Sequence, residues 1–217
     1  MKLLLFDVDG TLILSGGAGL RALDRAFAKR HGKVGATGML RLGGRTDPKI
    51  VHDLYQQHLG FVPDAAEVGA FLDDYLVFLE EEVPSSADYR LMPGLPEVLD
   101  ALELRGHVLG LATGNVRAGA RLKLTRGGLW GRFAFGGFGD DSADRAELVA
   151  MAAARAPWQF AAEDVWVIGD TPLDVAAARA AGFRALAVAT GGHTFEDLRD
   201  TRPDLLLGTL EALRGDW

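Results

Sequence analysis

Cysteine is absent from the 217 residues, which excludes disulfide bonds, thiol catalysis and thiolate metal sites. Long apolar runs are absent too. The stretch before Asp7 is too short for a signal-peptide core or a membrane span, and no other stretch is long enough. A net charge of -7 argues against binding to a nucleic-acid backbone. We therefore expect a cytoplasmic protein with no membrane or nucleic-acid partner, and any metal site should favour magnesium over zinc.

What is present is the composition of an ordinary globular protein. Hydrophobic residues make up 48% and charged residues 24% of the chain, which allows a proper core without a metal or disulfide staple. The length suits one sizeable domain, or a core domain that carries a smaller inserted one.

Short apolar runs alternate with helical patterns over most of the chain. Such runs are typical of buried parallel strands, and helices between them predict a parallel α/β sheet with right-handed crossovers. We predict a Rossmann-like sheet flanked by helices. The predicted strands cover residues 2–6, 107–112, 165–168 and 185–189, with weaker candidates at 133–138 and 205–207, and the predicted core helices lie at 95–102, 144–156 and 171–182.

One segment interrupts this alternation. Residues 15–86 contain helical patterns and no convincing buried strand. The first pattern ends near His31, the second begins at Asp47 and runs to about His58, and Asp64 is a candidate cap for the third. We predict an all-helical cap domain over residues 15–86, inserted into a core domain made of residues 1–14 and 87–217.

Four polar stretches stand where predicted strands hand over to loops. They comprise residues 7–11, 113–115, 140–145 and 169–171. Because ligands of open parallel sheets bind beyond the carboxyl ends of the strands, we expect these stretches to converge on one edge of the sheet.

The order of these motifs resembles that of the haloacid dehalogenase superfamily. The resemblance is carried by DVDGT at residues 7–11, by the strand-end residue Thr113 and by GDTPLD at residues 169–174, and it covers nearly the whole chain. Within that family the chain is most similar to phosphoglycolate phosphatase-like members, and residues 15–86 look like the family's helical cap. The resemblance implies a hydrolase that acts on phosphoric monoester bonds.

The carboxylates in these motifs suit phosphate chemistry assisted by magnesium. A phosphomonoester is a dianion, so an attacking carboxylate needs charge neutralisation, which Mg²⁺ bound by Asp7, Asp170 and the Asp9 backbone carbonyl can supply. A carboxylate nucleophile gives an aspartyl-phosphate that water then hydrolyses, and another carboxylate must carry protons. The resemblance assigns the nucleophile to Asp7 and the general acid and base to Asp9.

The stretch after the 107–112 strand is predicted to bind the substrate. The Thr113 hydroxyl and the backbone amides at Gly114 and Asn115, at the start of a helix, can bind phosphate oxygens. Asn115 has an alternative as a helix cap. The glycine-rich loop over residues 42–47 can reach over the site, where Arg45 would meet a substrate carboxylate or phosphate, although a solvated loop arginine is equally compatible with the pattern.

The basic residue of the site departs from the family's pattern. The family places a lysine before the helix that precedes the GDT motif, whereas GFGDDSADRAELV at residues 137–149 has none. We predict that Arg145 carries the charge there, with different hydrogen-bond geometry. Lys123 is the alternative, although we expect it to point away from the strand ends. Asp174 is either a capping-box residue or an outer partner of the metal.

The leading functional prediction is a magnesium-dependent phosphatase for a small phosphorylated metabolite. A sugar phosphomutase shares the same pair of aspartates and stays open. A dehalogenase would need a single aspartate and no magnesium, and a non-catalytic binding module would not need the complete set of motifs. The sequence names neither the substrate nor the oligomeric state, for which a monomer or a homodimer is expected.

Overall fold

A six-stranded parallel sheet forms the centre of the molecule. The computed structural model describes residues 1–39 and 43–215. The sheet order is β5-β4-β1-β6-β7-β8, and every pair in it is parallel. The strands of the chain are β1 (Leu3–Phe6), β2 (Ile13–Leu14), β3 (Arg90–Leu91), β4 (Val108–Ala112), β5 (Gly136–Gly137), β6 (Val165–Gly169), β7 (Arg184–Val188) and β8 (Leu205–Leu207).

The predicted α/β fold is confirmed. Strand β1 lies between β4 and β6 and is buried on both faces, as its unbroken apolar run predicts. The candidate strand at 133–138 forms a ladder only over Gly136–Gly137, at the edge of the sheet beside β4. Its flanking phenylalanines pack into the core instead of extending the strand, since Phe133 and Phe138 are both buried.

Eight α-helices accompany the strands in the described part of the chain. The predicted helices are present, and the short α8 had not been predicted. No helix among the described residues is long and apolar enough to cross a membrane. The helices are α1 (Ala18–His31), α2 (Asp47–Leu59), α3 (Ala65–Ser85), α4 (Glu97–Leu104), α5 (Arg117–Arg126), α6 (Arg145–Ala154), α7 (Pro172–Ala180) and α8 (Phe195–Asp200).

Helices α1 to α3 pack around an apolar cluster of their own. Phe27 is fully buried at its centre, with its ring centroid 6.1 Å from that of Tyr55 and 6.3 Å from that of Phe71. The two connections to the rest of the chain meet in an antiparallel pair, in which Ile13 of β2 lies opposite Leu91 of β3. We call residues 15–86 the insertion; its standing as a separate domain stays a prediction.

Replacing Phe27 tests that division. Phe27→Ala should lower the free energy of unfolding by about 3–5 kcal/mol, because it leaves a cavity among α1, α2 and α3. All four tryptophans lie within residues 87–217, so their fluorescence reports the predicted core, whereas far-ultraviolet circular dichroism also reports the insertion. In urea, the dichroism transition of the variant should precede its fluorescence transition.

Val34→Ala provides the control, since Val34 is 86% exposed and should leave both transitions unchanged. Coincident transitions in Phe27→Ala would contradict a separately folding insertion.

Candidate active site

The central strands deliver their polar residues to one edge of the sheet. Asp7 follows β1, Thr113 follows β4 and Asp170 follows β6, and these three strands are neighbours in the order β4-β1-β6. The Asp7 amide donates to the Ile168 carbonyl at 2.9 Å, which continues the ladder to the point where the loops begin. The predicted convergence of the motifs on this edge is therefore present.

Three carboxylates crowd together there. Asp7, Asp170 and Asp174 each offer an oxygen within 4.8 Å of the others, and all three residues are buried. Burial raises the pKa of Asp7 to about 6; Arg145 opposes this rise, and Asp174 and Asp9 add to it. Burial and the charge of Asp174 raise the pKa of Asp170 to about 8. The cluster therefore favours a bound cation.

The oxygen donors suit magnesium, but the three aspartates are not equivalent. Asp170 accepts one hydrogen bond from the Thr11 hydroxyl, at 3.1 Å. Asp174 is occupied on both oxygens: Oδ2 accepts from the Thr171 amide at 3.0 Å, and Oδ1 accepts from Arg145. Thr171 and Asp174 form the predicted capping box at the start of α7. Asp7 and Asp170 are therefore the freer candidates for direct metal ligands, with Asp174 outside them.

Arg145 joins this cluster from the first position of α6. Its Nη2 lies 3.1 Å from Asp7 Oδ1, and its Nε donates to Asp174 Oδ1 at 3.0 Å. Burial alone would lower the pKa of Arg145, but Asp174 and Asp7 hold the pKa above its ordinary value. The structure thus places a permanent positive charge beside Asp7, where the sequence analysis sought one.

Lys123 also reaches the site, so the expectation that it points away is wrong. Its Nζ donates to Asp9 Oδ2 and to Asn115 Oδ1, both at 2.6 Å. Lys123 stands about 9 Å along the axis from the start of α5, but long helical side chains point back towards the helix N-terminus. Because Lys123 is on the buried face of α5, with Ala120 and Leu124, its stem lies inside the protein and its ammonium group meets Asp9.

Asn115 connects Asp9 to Thr113. Its Nδ2 lies 2.9 Å from Asp9 Oδ2 and 2.9 Å from Thr113 Oγ1. Helix α5 begins at Arg117 with Val116 as its N-cap residue, so the alternative of Asn115 as the helix cap is wrong. Burial would raise the pKa of Asp9, but Lys123 and Asn115 outweigh it and lower that pKa. Asp9 is therefore ionised in this arrangement.

The insertion covers this edge and encloses a cavity of about 340 Å³. The cavity is lined from both parts of the chain. The core contributes Asp7, Asp9, Arg90, Thr113, Gly114 and Asn115, and the insertion contributes Leu20, Leu23, Arg45, Ile50 and Tyr75. The Arg45 guanidinium forms an ion pair with Asp53 of α2. Of the predicted loop at 42–47, Leu42 lies outside the described residues.

The sequence analysis misjudged one residue of the site and missed another. Lys123 is named there only as an alternative to Arg145, although its place on the apolar face of α5 is a signal that it points inwards. Asp47 had none, because its partners lie 67 and 69 positions away: its amide donates to the Gly114 carbonyl, and its Oδ2 accepts from the Val116 amide, both at 2.8 Å. Burial raises the pKa of Asp47 to about 6, against the opposing influence of Lys123.

Fold and site together define a Rossmann-like α/β enzyme with an acidic centre beyond its strands. Residues 4–188 match the family model of the haloacid dehalogenase-like hydrolases. The chain is 30% identical to a phosphoglycolate phosphatase of Xylella fastidiosa (strain 9a5c), over 90% of this chain and 83% of that protein. It is 27% identical to the "Probable phosphatase IndB" of Dickeya dadantii (strain 3937), over 98% and 92%. The chain belongs to the haloacid dehalogenase-like hydrolase family.

Solved structures agree in fold. A hydrolase from Pseudomonas syringae has a TM-score of 0.79 at 19% identity, over 98% of this chain and 96% of that chain. A candidate β-phosphoglucomutase from Bacteroides vulgatus has a TM-score of 0.72 at 22% identity, over 99% and 86%. At these identities the likeness shows the fold alone. The predicted family, fold and enzyme class, a hydrolase of the phosphatase type, are confirmed.

The raised pKa of Asp170 predicts how stability depends on pH. The pKa of Asp170 rises from 3.8 to about 8 on folding. Between these two pH values, the folded protein therefore keeps a proton that the unfolded chain has already released. The metal-free protein should therefore lose stability as the pH rises through this window. Asp170→Asn should flatten the decline, measured as the midpoint of thermal unfolding in the presence of a chelator.

Magnesium chloride should raise the midpoint of the wild-type protein more at pH 8 than at pH 5, since the ion competes with protons for the same oxygens. Equal slopes in the wild type and in Asp170→Asn would contradict the assignment of the decline to this carboxyl.

Proposed function

We propose that the protein is a magnesium-dependent phosphatase that hydrolyses a small phosphomonoester through an aspartyl-phosphate on Asp7. The observation that carries the proposal is the pairing of two acids, the buried Asp7 and the partly exposed Asp9, with two different cations in one cavity. Asp7 lies beside Arg145, and Asp9 lies beside Lys123 and Asn115. The two carboxylates therefore have different environments, as two different chemical roles require.

In the first step, an Asp7 carboxylate oxygen attacks phosphorus, and the bond from phosphorus to the leaving oxygen breaks. The Thr113 hydroxyl and the Arg145 guanidinium are placed to hold the phosphoryl oxygens during this attack. Asp9 donates a proton to the leaving oxygen. The dianionic substrate favours the protonated form of Asp9, because nearby negative charge raises the pKa of a carboxyl.

In the second step, Asp9 acts in its ionised form. It takes a proton from a water molecule, whose oxygen attacks phosphorus and releases the Asp7 carboxylate and inorganic phosphate. The bonds to Lys123 and Asn115 favour this ionised state. Asp9 thus ends the cycle protonated and ready to donate that proton to the next leaving oxygen.

Asp7, Asp170 and the Asp9 backbone carbonyl are the residues that would hold Mg²⁺, with Asp174 as an outer partner. When bound, the ion supplies positive charge that offsets the repulsion between the substrate phosphate and the attacking carboxylate. The crowding of acids whose pKa values rise on burial supports this assignment. The oxygen donors of these residues are the chemical basis of the assignment.

The cavity favours a small substrate. About 340 Å³ lies at the low end of ligand pockets and suits a phosphoryl group with a short organic part. Arg45 would bind a second polar or anionic group after exchanging its partner Asp53. Relatives named phosphoglycolate phosphatase support a phosphoglycolate-like substrate, and a sugar phosphate is the alternative. Cytoplasmic location, the absence of nucleic-acid partners and a monomeric or homodimeric state stay predictions.

A sugar phosphomutase is the second candidate, because it needs the same pair of acids and one structural neighbour is a candidate β-phosphoglucomutase. The two functions differ in product. A phosphatase releases inorganic phosphate, whereas a mutase moves the phosphoryl group to another hydroxyl of the sugar. A dehalogenase is disfavoured since Asp9 would have no task.

Asp7→Asn tests the proposed chemistry. With phosphoglycolate, sugar phosphates, nucleotides and pyrophosphate as a panel, the wild type should release phosphate from at least one compound when magnesium is present. The variant should lose at least about a thousandfold in kcat, because an amide is not a competent nucleophile. Phosphate release and sugar isomers are measured in the same reactions.

Asp88→Asn is the matched control, since Asp88 is an exposed acid that lines the same cavity outside the acidic cluster. It should retain most of the activity. Folded wild-type protein that releases no phosphate from any compound with magnesium, or an Asp7→Asn variant with full turnover, would overturn the proposal.

A further inference from the structure

Asp47 occupies an unusual position between the insertion and the phosphate-side turn. It is the first residue of α2, yet both of its core contacts lie on the turn from Thr113 to Val116 that precedes α5. Its amide donates to the Gly114 carbonyl, and its Oδ2 accepts from the Val116 amide, each at 2.8 Å. One residue of the insertion therefore holds both ends of a three-residue segment of the core, one end through its backbone amide and the other through its side chain.

Two carboxylates from outside the helix accept from the first amides of α5: Asp47 accepts from the Val116 amide, and Asp140 Oδ2 accepts from the Arg117 amide at 2.9 Å. Its N-cap residue, Val116, has no side chain that can accept a hydrogen bond, and the neighbouring Asn115 is committed to Asp9 and Thr113. A carboxylate that accepts from the first amides of a helix also interacts favourably with the helix dipole. Asp47 thus satisfies the amide of the N-cap residue Val116, as the N3 side chain does in a capping box, but from a distant segment of the chain.

The backbone of the insertion packs directly against the backbone of the turn, with no room for a side chain between them. We call residues 43–47 the strap. A Cβ on Gly114 would lie 2.3 Å from the Arg45 carbonyl oxygen, and a Cβ on Gly44 would lie 2.5 Å from Thr171 Oγ1. The strap is further attached through Thr46, whose hydroxyl donates to the Ala143 carbonyl at 3.1 Å.

Burial makes a carboxylate at this position costly without a specific purpose. Asp47 is 5% exposed and forms no ion pair with any residue that the structure describes, in contrast to Asp7, Asp9 and Asp174, each of which contacts a cation. Among the described residues, the hydrogen-bond partner of its side chain is the Val116 amide. A buried acid that serves only packing would be replaceable by an apolar residue, whereas one that supports a helix start is not.

From this geometry we propose that Asp47 is a positioning residue of the active site, which holds the Thr113–Val116 turn so that Thr113 and Asn115 face the phosphate and Asp9. The inference rests on the proposed phosphatase function. Asp47 touches none of the proposed reacting groups; it acts through the turn. Displacement of that turn moves the Asn115 amide, which contacts Asp9, and the Thr113 hydroxyl together.

Asp47→Ala is the first test. It should lower kcat by about ten- to a hundredfold, the range expected when catalytic groups shift by about 1 Å, and should change KM much less. The loss should be similar for phosphomonoesters with different leaving groups, because the turn faces the phosphoryl group. Asp47→Asn should recover most of kcat, since its amide oxygen still accepts from the Val116 amide.

Asp64→Ala is the matched control. Asp64 is also an aspartate of the insertion that caps a helix, since its Oδ1 accepts from the Glu67 amide of α3 at 2.8 Å. Unlike Asp47, it is exposed, and this hydrogen bond stays within the insertion. Its removal should lower thermal stability while leaving kcat and KM unchanged. If Asp47→Ala and Asp64→Ala have the same kinetic constants, the proposal is wrong.

Hydrogen exchange of the Val116 amide gives a readout that does not depend on turnover. In Asp47→Ala this amide should exchange faster than in the wild type. In Asp47→Asn it should stay protected, so the asparagine variant still tests the inference if the alanine variant folds poorly. Unchanged protection in Asp47→Ala overturns the inference even if the enzyme is active. A wild type without phosphatase activity but with these exchange differences would instead contradict the proposed function alone.

Discussion

Repulsion among buried carboxylates is the constraint on which the rest of the site depends. Asp7, Asp170 and Asp174 lie close together because the neighbouring parallel strands β1 and β6 end at the same edge of the sheet, where α7 begins. Removal of solvent makes each negative charge more expensive. The protein offsets part of this cost with Arg145, and the acids still have raised pKa values, which leaves a demand for a further cation.

The two cations of the site divide the two acids of the first motif between them. Val8 stands between Asp7 and Asp9 in the sequence, and the two carboxylates contact different cations. Arg145 serves Asp7 from α6, and Lys123 serves Asp9 from α5, on the other side of β1. A single cation between the acids would have given them similar environments. At Asp7 burial outweighs Arg145 and raises the pKa, whereas at Asp9 Lys123 and Asn115 outweigh burial and lower the pKa.

The sequence predicted well what depends on short-range pattern. Apolar runs identified the strands, and Asp64 and Thr171 marked helix starts that the structure shows as caps. Arg145 could be proposed because it stands at the start of a helix next to a recognised motif. Its contact with Asp7 followed from strand order, which alternation of strands and helices largely determines.

What escaped prediction depends on side-chain direction and on contacts between distant segments. Lys123 was placed from its distance along α5, and that estimate ignored the tilt of helical side chains towards the N-terminus. Asp47 is predicted as the start of α2 and the end of the loop at 42–47, but nothing near it in sequence indicates a contact with Gly114 or Val116. The β2–β3 pair escaped for a similar reason: two residues on each side are too few to show a pattern.

The contact between Asp47 and Val116 bears on how the insertion and the core communicate. If the strap docks with one arrangement of the phosphate-side turn, then any ligand that favours that arrangement must also favour docking, by thermodynamic reciprocity. Arg45 lies two residues before Asp47 and lines the same cavity, so docking of the strap also brings Arg45 over the site. Recognition of the organic part of a substrate by the insertion and orientation of its phosphate by the core would therefore depend on one shared contact surface.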